Sequence, residues 1–209
     1  MPAIDSLIQF RTSVAEANNF TTTILQRYAS GNYKFPVLLR NFVVESAFLR
    51  IFIAWETFLE NIFVKYMMGE QPVFTPIVNR YATPIDINHA KSFLIGLSGK
   101  QFVDWSTPDT IRKLSIIYFG NVNIINTVIS SIHTDFLALK TIRNAAAHMT
   151  AATGGKLDVL ASNIMGSPQV GIKAAMLLLW ADPVPPIPVS LFSNYITLLD
   201  TSAELITNG

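Results

Sequence analysis

The chain has 209 residues, of which 50% are hydrophobic and only 14% are charged, and its formal net charge is +1. This length can enclose one sizeable core, so we expect a single domain that covers the whole chain. An average soluble domain is about one-quarter charged. Because so little charge leaves apolar surface to be covered, we expect a second copy of the chain as partner. A net charge near zero gives no strong electrostatic footprint for nucleic acid.

No stretch of the sequence has the pattern of a membrane span or a secretory leader. The longest apolar stretch, residues 37–68, carries six charged side chains, whereas a span needs about 20 consecutive apolar residues. The first residues lack a basic region followed by an apolar one. With no cysteine, disulfides and thiolate metal sites are excluded. We therefore expect a cytoplasmic protein with no membrane partner.

Helical spacing of apolar residues begins near the N-terminus. It predicts a first helix over residues 4–30 and a second over residues 37–68. The second is apolar around nearly its whole circumference, which predicts burial on nearly every side. Glu45, Glu56 and Glu60 fall within about 60° of one another on a helical wheel. This acidic stripe faces either solvent or a basic partner element.

The middle of the chain begins with short pieces, because three prolines interrupt residues 70–105. One helix is predicted there, over residues 88–97. Thr107-Pro108-Asp109 is then a typical helix start, with Thr as N-cap, Pro in the first turn and Asp at the positive end of the dipole. This helix should end at Gly120.

A long helix is predicted from Asn123 to about Thr150, ended by Gly154 and Gly155. Its apolar residues form one stripe: Ile125, Val128, Ile129, Ile132, Phe136, Leu139 and Ile142. Beyond it, residues 156–180 fit either two short helices or a helix and a strand. A proline-rich connector at 183–188 and a terminal helix over 191–206 complete the chain. The pattern indicates an all-α bundle with two long central helices and several shorter ones.

The end of the long helix concentrates polar side chains of a kind that can do chemistry. Lys140, Asn144 and His148 are spaced four residues apart and lie near one helical face, with Arg143 beside them. Three alanines between Asn144 and His148 would let another backbone approach and form a shallow groove. The surrounding residues 87–173 hold eight basic and four acidic side chains. This modest excess of positive charge permits a phosphate ligand.

Such a groove suits cleavage of RNA without a metal. His148 can take the proton from a ribose 2′-hydroxyl or give one to the leaving oxygen. Arg143 can bind the phosphate and stabilise its growing charge, and Lys140 can contact a further phosphate of the RNA. Two-fold symmetry would place two histidines in one groove, one as base and one as acid. The same spacing also fits a structural role, since the helix dipole favours a C-terminal histidine and arginine stems cover apolar surface.

Other catalytic patterns are missing from the sequence. The three histidines, His89, His133 and His148, are too far apart in sequence for a local metal motif. Neither a phosphate-binding loop nor a nucleophile elbow is present. We interpret His133 and Asp135 as part of a polar surface, and we expect no metal and no cofactor.

The segment Arg143-Asn144-Ala145-Ala146-Ala147-His148 resembles the signature of the HEPN superfamily, in which four to six residues separate an arginine from a histidine. It has the common form with asparagine after the arginine. A second stretch, from Arg50 to Leu59 with Ile53-Ala54-Trp55-Glu56 inside it, resembles the buried early helix of HEPN branches related to the RiboL-PSP group. Trp105-Ser106-Thr107 and a short helix before the motif helix fit the same order. These matches span roughly residues 37–150.

The resemblance implies a HEPN-like helical bundle that dimerises and brings two motif helices together. It implies a metal-independent endoribonuclease of a toxin–antitoxin or phage-defence system, with RNA as substrate and an antitoxin protein as partner. Arg143 and His148 correspond to the catalytic pair, and Asn144 to its polar support. HEPN toxins paired with nucleotidyltransferase antitoxins carry tyrosine where this chain has Thr150, so we expect no control through that tyrosine. Some HEPN domains are inactive modules that bind RNA, a nucleotide or a protein, and this is the alternative.

Overall fold

The computed structural model describes residues 3–74, 79–98, 102–181 and 189–209. Within these ranges the chain forms nine α-helices and no β-strand, which confirms the all-α prediction. None of the helices described is long and apolar enough to cross a bilayer. The predicted proline-rich connector lies outside the described residues. The helices are α1 (Ala3–Ile24), α2 (Val37–Met68), α3 (Ile87–Ser98), α4 (Pro108–Phe119), α5 (Ile124–Ser131), α6 (His133–Ala147), α7 (Ala151–Met165), α8 (Ala174–Leu179) and α9 (Leu191–Asn208).

Residue contacts group the chain into two compact units. Helices α1, α2, α6 and α9 each contribute residues to both units. That the whole chain is one domain stays a prediction. Unit 1 comprises Met1–Arg11, Trp55–Leu137 and Leu198–Gly209, and unit 2 comprises Thr12–Ala54 and Ala138–Thr197.

The core of unit 1 contains a cluster of aromatic rings centred on α2. Trp55 is 0% exposed, as predicted, and stacks on Phe58 with 5.6 Å between ring centroids. Phe10 from α1 and Phe136 from α6 meet the indole edge-on, at 5.9 and 6.0 Å. Aromatic pairs in such geometries add about 0.5–1.5 kcal/mol each beyond the area they bury.

Helix α2 has the predicted bounds, but the prediction of burial on nearly every side is wrong for its first turns. Leu38 is 72% exposed and Phe42 is 67% exposed. The second half of the helix behaves as predicted, since nearly all of its apolar residues from Trp55 to Met67 are buried. Apolar periodicity reports which residues can be buried, and only the arrangement of neighbouring helices decides which of them are.

Two glutamates of the acidic stripe of α2 bond other helices. In unit 2, Glu45 accepts a hydrogen bond from the backbone N–H of Ala175, at 3.1 Å, in the first turn of α8. That N–H has no partner within its own helix, so the carboxylate satisfies it. In unit 1, Glu60 forms an ion pair with Lys91 of α3 at 2.7 Å.

The apolar spacing predicted that the first helix ends near residue 30, but α1 ends at Ile24. Four β-branched residues end it, beginning with Thr21, and these are poor helix formers. The Thr21 hydroxyl donates to the carbonyl of Ala17 at 3.1 Å, a bond that often bends a helix. The chain then forms an isolated antiparallel bridge between Arg27 and Tyr33.

Helix α4 begins after Thr107 and ends before Gly120, as predicted. The side chain of Thr107 makes no capping hydrogen bond to the helix. Its hydroxyl donates to Oδ2 of Asp104 at 2.7 Å. Gly120 has φ +86°, in the left-handed region that favours glycine. The helix end therefore depends on this residue type.

The helix predicted over 123–150 is interrupted once, at Ile132, and it ends at Ala147. Helix α5 starts after its N-cap Asn123, whose side chain accepts from the N–H of Asn126 at 2.9 Å, and ends at Ser131. The Ser131 hydroxyl donates to the carbonyl of Val128 at 2.8 Å, and this competes with the regular helical pattern. Helix α6 follows at His133. The predicted apolar stripe is confirmed, because none of its seven residues is more than 6% exposed.

Residues 156–180 contain the helices α7 and α8 and no strand, so the first of the two predicted alternatives is confirmed. The connection between α7 and α8 is fixed by Asp158. Its carboxylate accepts the backbone N–H groups of Gly171 and Ile172, at 2.9 and 3.0 Å.

Candidate functional site

Helix α6 separates its buried and polar residues by regular spacing. Leu139, Ile142 and Ala145 are no more than 1% exposed. Arg143 and Asn144 lie between these positions and are half-buried. Burial of the apolar face thus holds the two polar side chains at the boundary with solvent, where they can meet a ligand.

Arg143 and Asn144 are in direct contact. Nη1 of Arg143 donates to Oδ1 of Asn144 at 3.2 Å. This bond uses one of the five guanidinium donors, and it leaves the amide nitrogen of Asn144 as a further donor. The role of Asn144 as polar support stays a prediction. Lys140 lies one helical turn earlier and is also half-buried.

His148 lies one residue beyond the end of α6, and its backbone is fixed. Its N–H donates to the carbonyl of Asn144 at 2.9 Å, which continues the helical pattern by one bond. Its carbonyl accepts the N–H of Thr150 at 3.0 Å and the hydroxyl of Thr153. The side chain is exposed, and no described residue is hydrogen-bonded to the ring. The imidazole is therefore accessible to a ligand.

The start of α7 explains why the motif helix stops where it does. Thr150 and Thr153 form a capping box: Thr150 Oγ1 accepts from the N–H of Thr153 at 3.2 Å, and Thr153 Oγ1 accepts from the N–H of Thr150 at 2.9 Å. These bonds start a new helix at Ala151. The prediction that Gly154 and Gly155 end the motif helix is wrong, because both lie inside α7. Each glycine costs about 1 kcal/mol in a helix, and the reciprocal caps offset part of that cost.

The electrostatics of the site favour an anion. Within the described part of the chain, neither Arg143 nor His148 has a carboxylate partner. The nearest acid in sequence after the motif, Asp158, is held by the two backbone donors described above. An arginine without an acidic partner attracts phosphate, and its planar fork suits two oxygens of one phosphate.

His133 and Asp135 lie on the first turn of α6 and belong to unit 1, whereas the motif residues belong to unit 2. His133 Nε2 lies 3.1 Å from Oδ1 of Asp109, and Asp135 is exposed. These positions agree with the interpretation as a polar surface. The Asp109 contact could not be predicted, because 24 residues separate the pair. Among the described residues, no three His, Asp or Glu side chains lie together as candidate metal ligands.

Comparison of the chain with protein-family models, with curated proteins and with solved structures finds no match. The resemblance to HEPN proteins therefore stays a prediction that depends on the residues quoted for it.

Proposed function

We propose that the protein is a metal-independent endoribonuclease of the HEPN type, acting as a toxin or phage-defence effector in the cytoplasm. Arg143 and His148 are its catalytic residues, Asn144 orients Arg143, and Lys140 contacts RNA. One observation carries the proposal. An accessible histidine on a fixed backbone and an arginine bonded to a neighbouring amide lie within six residues, and neither has an acidic partner.

The reaction proposed is transfer within the RNA strand. The ribose 2′-oxygen attacks the adjacent phosphorus while the bond from phosphorus to the 5′-oxygen breaks. One His148 takes the 2′-hydroxyl proton, and the His148 of a second copy gives a proton to the leaving 5′-oxygen. The products are a 2′,3′-cyclic phosphate and a 5′-hydroxyl, so no water and no metal are consumed. Positioned proton transfer of this kind contributes about 10²–10⁴-fold to a rate.

Arg143 places a positive charge beside the phosphate oxygens on which negative charge grows during the reaction. The phosphate passes through a state with more negative charge on its non-bridging oxygens, and a fixed guanidinium stabilises that state. The bond to Asn144 restricts where the guanidinium can point. Lys140, one turn earlier on α6, would contact a phosphate further along the strand.

The need for two histidines requires a second copy of the chain. Apolar surface suitable for such a contact lies close to the motif in sequence and in the same unit. Met149 directly follows His148, Val159 lies on α7, and both side chains are more than half exposed. Burial of such side chains against a second copy is favourable by about 25 cal/mol per Å² of apolar area. Sedimentation should therefore give the mass of a dimer.

The proposal is tested by incubating the purified protein with single-stranded RNA in the presence of a chelator. The expected result is cleavage with cyclic phosphate ends, whereas DNA of the same sequence stays intact because it lacks the attacking hydroxyl. Expression in cells should slow growth, and His148→Ala should relieve this effect. A wild-type protein that neither cuts RNA nor slows growth contradicts the proposal.

Variants of Arg143 separate its charge from its shape. Arg143→Ala should lower the cleavage rate by about 10²–10³-fold, the loss typical when one donor to a developing oxyanion is removed. Arg143→Lys keeps the charge but not the planar fork, so an intermediate rate is expected. Both variants should keep the unfolding midpoint of the wild type, because Arg143 is half-buried and makes one side-chain bond. Equal cleavage by the wild type and both variants would contradict the assignment of Arg143 as a catalytic residue.

The alternative is an inactive HEPN module that binds RNA, a nucleotide or a protein partner. It is favoured by the ring of His148, which no described side chain orients, whereas a catalytic base is usually held by a third group. A wild-type protein that cuts nothing, yet binds an RNA oligonucleotide and loses this binding in Arg143→Ala, would support the module.

A further inference from the structure

A second concentration of positive charge lies outside the motif, in the connection between α1 and α2 and on the first turn of α2. From residue 17 to residue 44 the chain contains Arg27, Lys34 and Arg40 and no acidic residue at all. We call Arg27, Tyr33, Lys34 and Arg40 the basic turn. All four residues belong to unit 2.

Backbone hydrogen bonds fix the shape of the basic turn. The N–H of Tyr28 donates to the carbonyl of Asn32 at 2.8 Å, and the N–H of Lys34 donates to the carbonyl of Gln26 at 2.9 Å. Arg27 and Tyr33 are paired across this small antiparallel bridge. The charges of the turn are thus carried on a defined backbone.

Two arginines stack on one tyrosine. The Cζ atom of Arg27 lies 3.8 Å from the centroid of the Tyr33 ring, and that of Arg40 lies 3.6 Å from the same centroid. Each contact is a cation–π interaction worth roughly 0.5–2 kcal/mol. Two like charges held against one ring repel each other, and a bound anion would remove that repulsion.

The cations of the basic turn have unused donors and no carboxylate partner. Arg27 donates to the carbonyl of Gly31 at 2.8 Å and to the Tyr33 hydroxyl at 2.6 Å. The guanidinium of Arg40 has no hydrogen-bond partner among the described residues, and its Nε is buried without one. Among the described residues, Lys34 bonds only a neutral amide, that of Gln26, at 3.2 Å. In the described part of the chain, none of the three forms an ion pair.

Three other cations of the chain have carboxylate partners. Arg11 bonds Asp200 and Glu204, Arg50 bonds Glu16, and Lys91 bonds Glu60. An arginine with a carboxylate partner is neutralised within the protein, whereas the basic turn keeps its charge for an external anion. Exposed aromatic side chains accompany it in the same stretch of unit 2, namely Phe20, Tyr28 and Phe42.

We infer that the basic turn binds the phosphate backbone of single-stranded RNA, with the exposed aromatic rings as stacking platforms for bases. The choice of RNA rests on the proposed function. Unpaired cations beside exposed aromatic rings are the combination by which proteins bind single strands without reading their sequence. The turn would hold the strand while a phosphodiester of the same strand is cleaved at the motif.

Binding is measured by fluorescence anisotropy with a labelled 2′-O-methyl oligouridine of about 12 nucleotides, within the length that one binding surface covers. This probe cannot be cut by 2′-attack, so binding is read separately from cleavage. The test variant is Arg27→Gln with Lys34→Gln. Its matched control, Lys113→Gln with Lys173→Gln, removes the same charge from two exposed lysines. Lys34→Gln alone changes one exposed side chain and serves if the double variant does not fold.

The double variant should bind about tenfold more weakly than wild type at 0.1 M salt, and each lost cation should reduce the slope of log K against log salt by about 0.7. Lys34→Gln alone should reduce the slope by half as much, and the control should bind like wild type.

Three results would each overturn the inference: an equal loss of affinity in the test and control variants, no binding of the probe by wild type, or binding of vesicles rich in phosphatidylserine in place of RNA. Binding that depends on the turn in a protein that cuts no RNA would uphold the inference and refute the nuclease. Cleavage and probe binding that are both unchanged in the double variant would refute the inference and support the nuclease.

Discussion

The capping box that begins α7 gives the sharpest prediction about the motif, because it fixes the backbone that directly follows His148. In the wild type the N–H of Thr153 donates to Thr150 Oγ1 at 3.2 Å, and Thr150→Ala removes this acceptor. The residue at position 150 keeps its own backbone N–H, which donates to the Thr153 hydroxyl at 2.9 Å in the wild type. Replacing an N-cap threonine by alanine costs about 1 kcal/mol of stability. With a urea dependence of about 2 kcal/mol per M, the unfolding midpoint should fall by about 0.5 M.

Two controls isolate the cap. Thr150→Ser keeps an oxygen in the same place and should unfold close to wild type. Thr22→Ala changes an exposed threonine inside α1, where alanine is the better helix former, and should not destabilise. Hydrogen exchange at the amide of Thr153 should accelerate in Thr150→Ala alone. An unchanged midpoint in Thr150→Ala, or an equal loss in Thr150→Ser, would refute the reasoning.

Three further predictions concern the packing of the helices and the pH dependence of folding. Leu139→Ala should lower the free energy of unfolding by about 2–5 kcal/mol, because the side chain is fully buried; a loss below that range in urea titration would contradict its burial. Gly120→Ala should destabilise, since φ is +86° and a Cβ would clash, whereas Gly96→Ala, inside α3 with open space around it, should stabilise by about 0.5–1 kcal/mol; equal effects on melting temperature would contradict this contrast. Burial, and secondarily the charge of Glu70, raise the pKa of Tyr66 above its ordinary value of 10.0. Only the unfolded chain then loses this proton just above pH 10, so stability should fall as pH rises through that range, and it should do so less in a Tyr66→Phe variant.

The features of the fold that could be predicted from the sequence are those that follow from the regular spacing of apolar residues. The bounds of α2 and the burial of all seven apolar residues in the stripe from Ile125 to Ile142 were predictable, because both follow from spacing alone. The end of α6 was not, since it depends on reciprocal bonds between two threonines. The signal was present as Thr150-x-x-Thr153, but the pair Gly154-Gly155 is the more familiar helix stop.

The candidate site was predictable as a set of residues, and its detail was not. The sequence places Arg143, Asn144 and His148 together, but only the structure shows that Asn144 bonds Arg143 and that the ring of His148 is unbonded among the described residues. The basic turn was not predicted, because its charge is balanced by acidic residues elsewhere in the first part of the chain. Residues 1–86 hold seven basic and seven acidic side chains, which hides a run from 17 to 44 with bases only.

The most direct test of the proposed nuclease compares two histidines in one chain. His148→Ala and His133→Ala each remove one imidazole from α6 or its end, and His133 lies in unit 1, paired with Asp109. Cleavage of RNA in a chelator should fall at least about 10²-fold in His148→Ala, while His133→Ala cuts like wild type and both keep the wild-type unfolding midpoint. Equal rates of RNA cleavage in His148→Ala and wild type would contradict the assignment of this site.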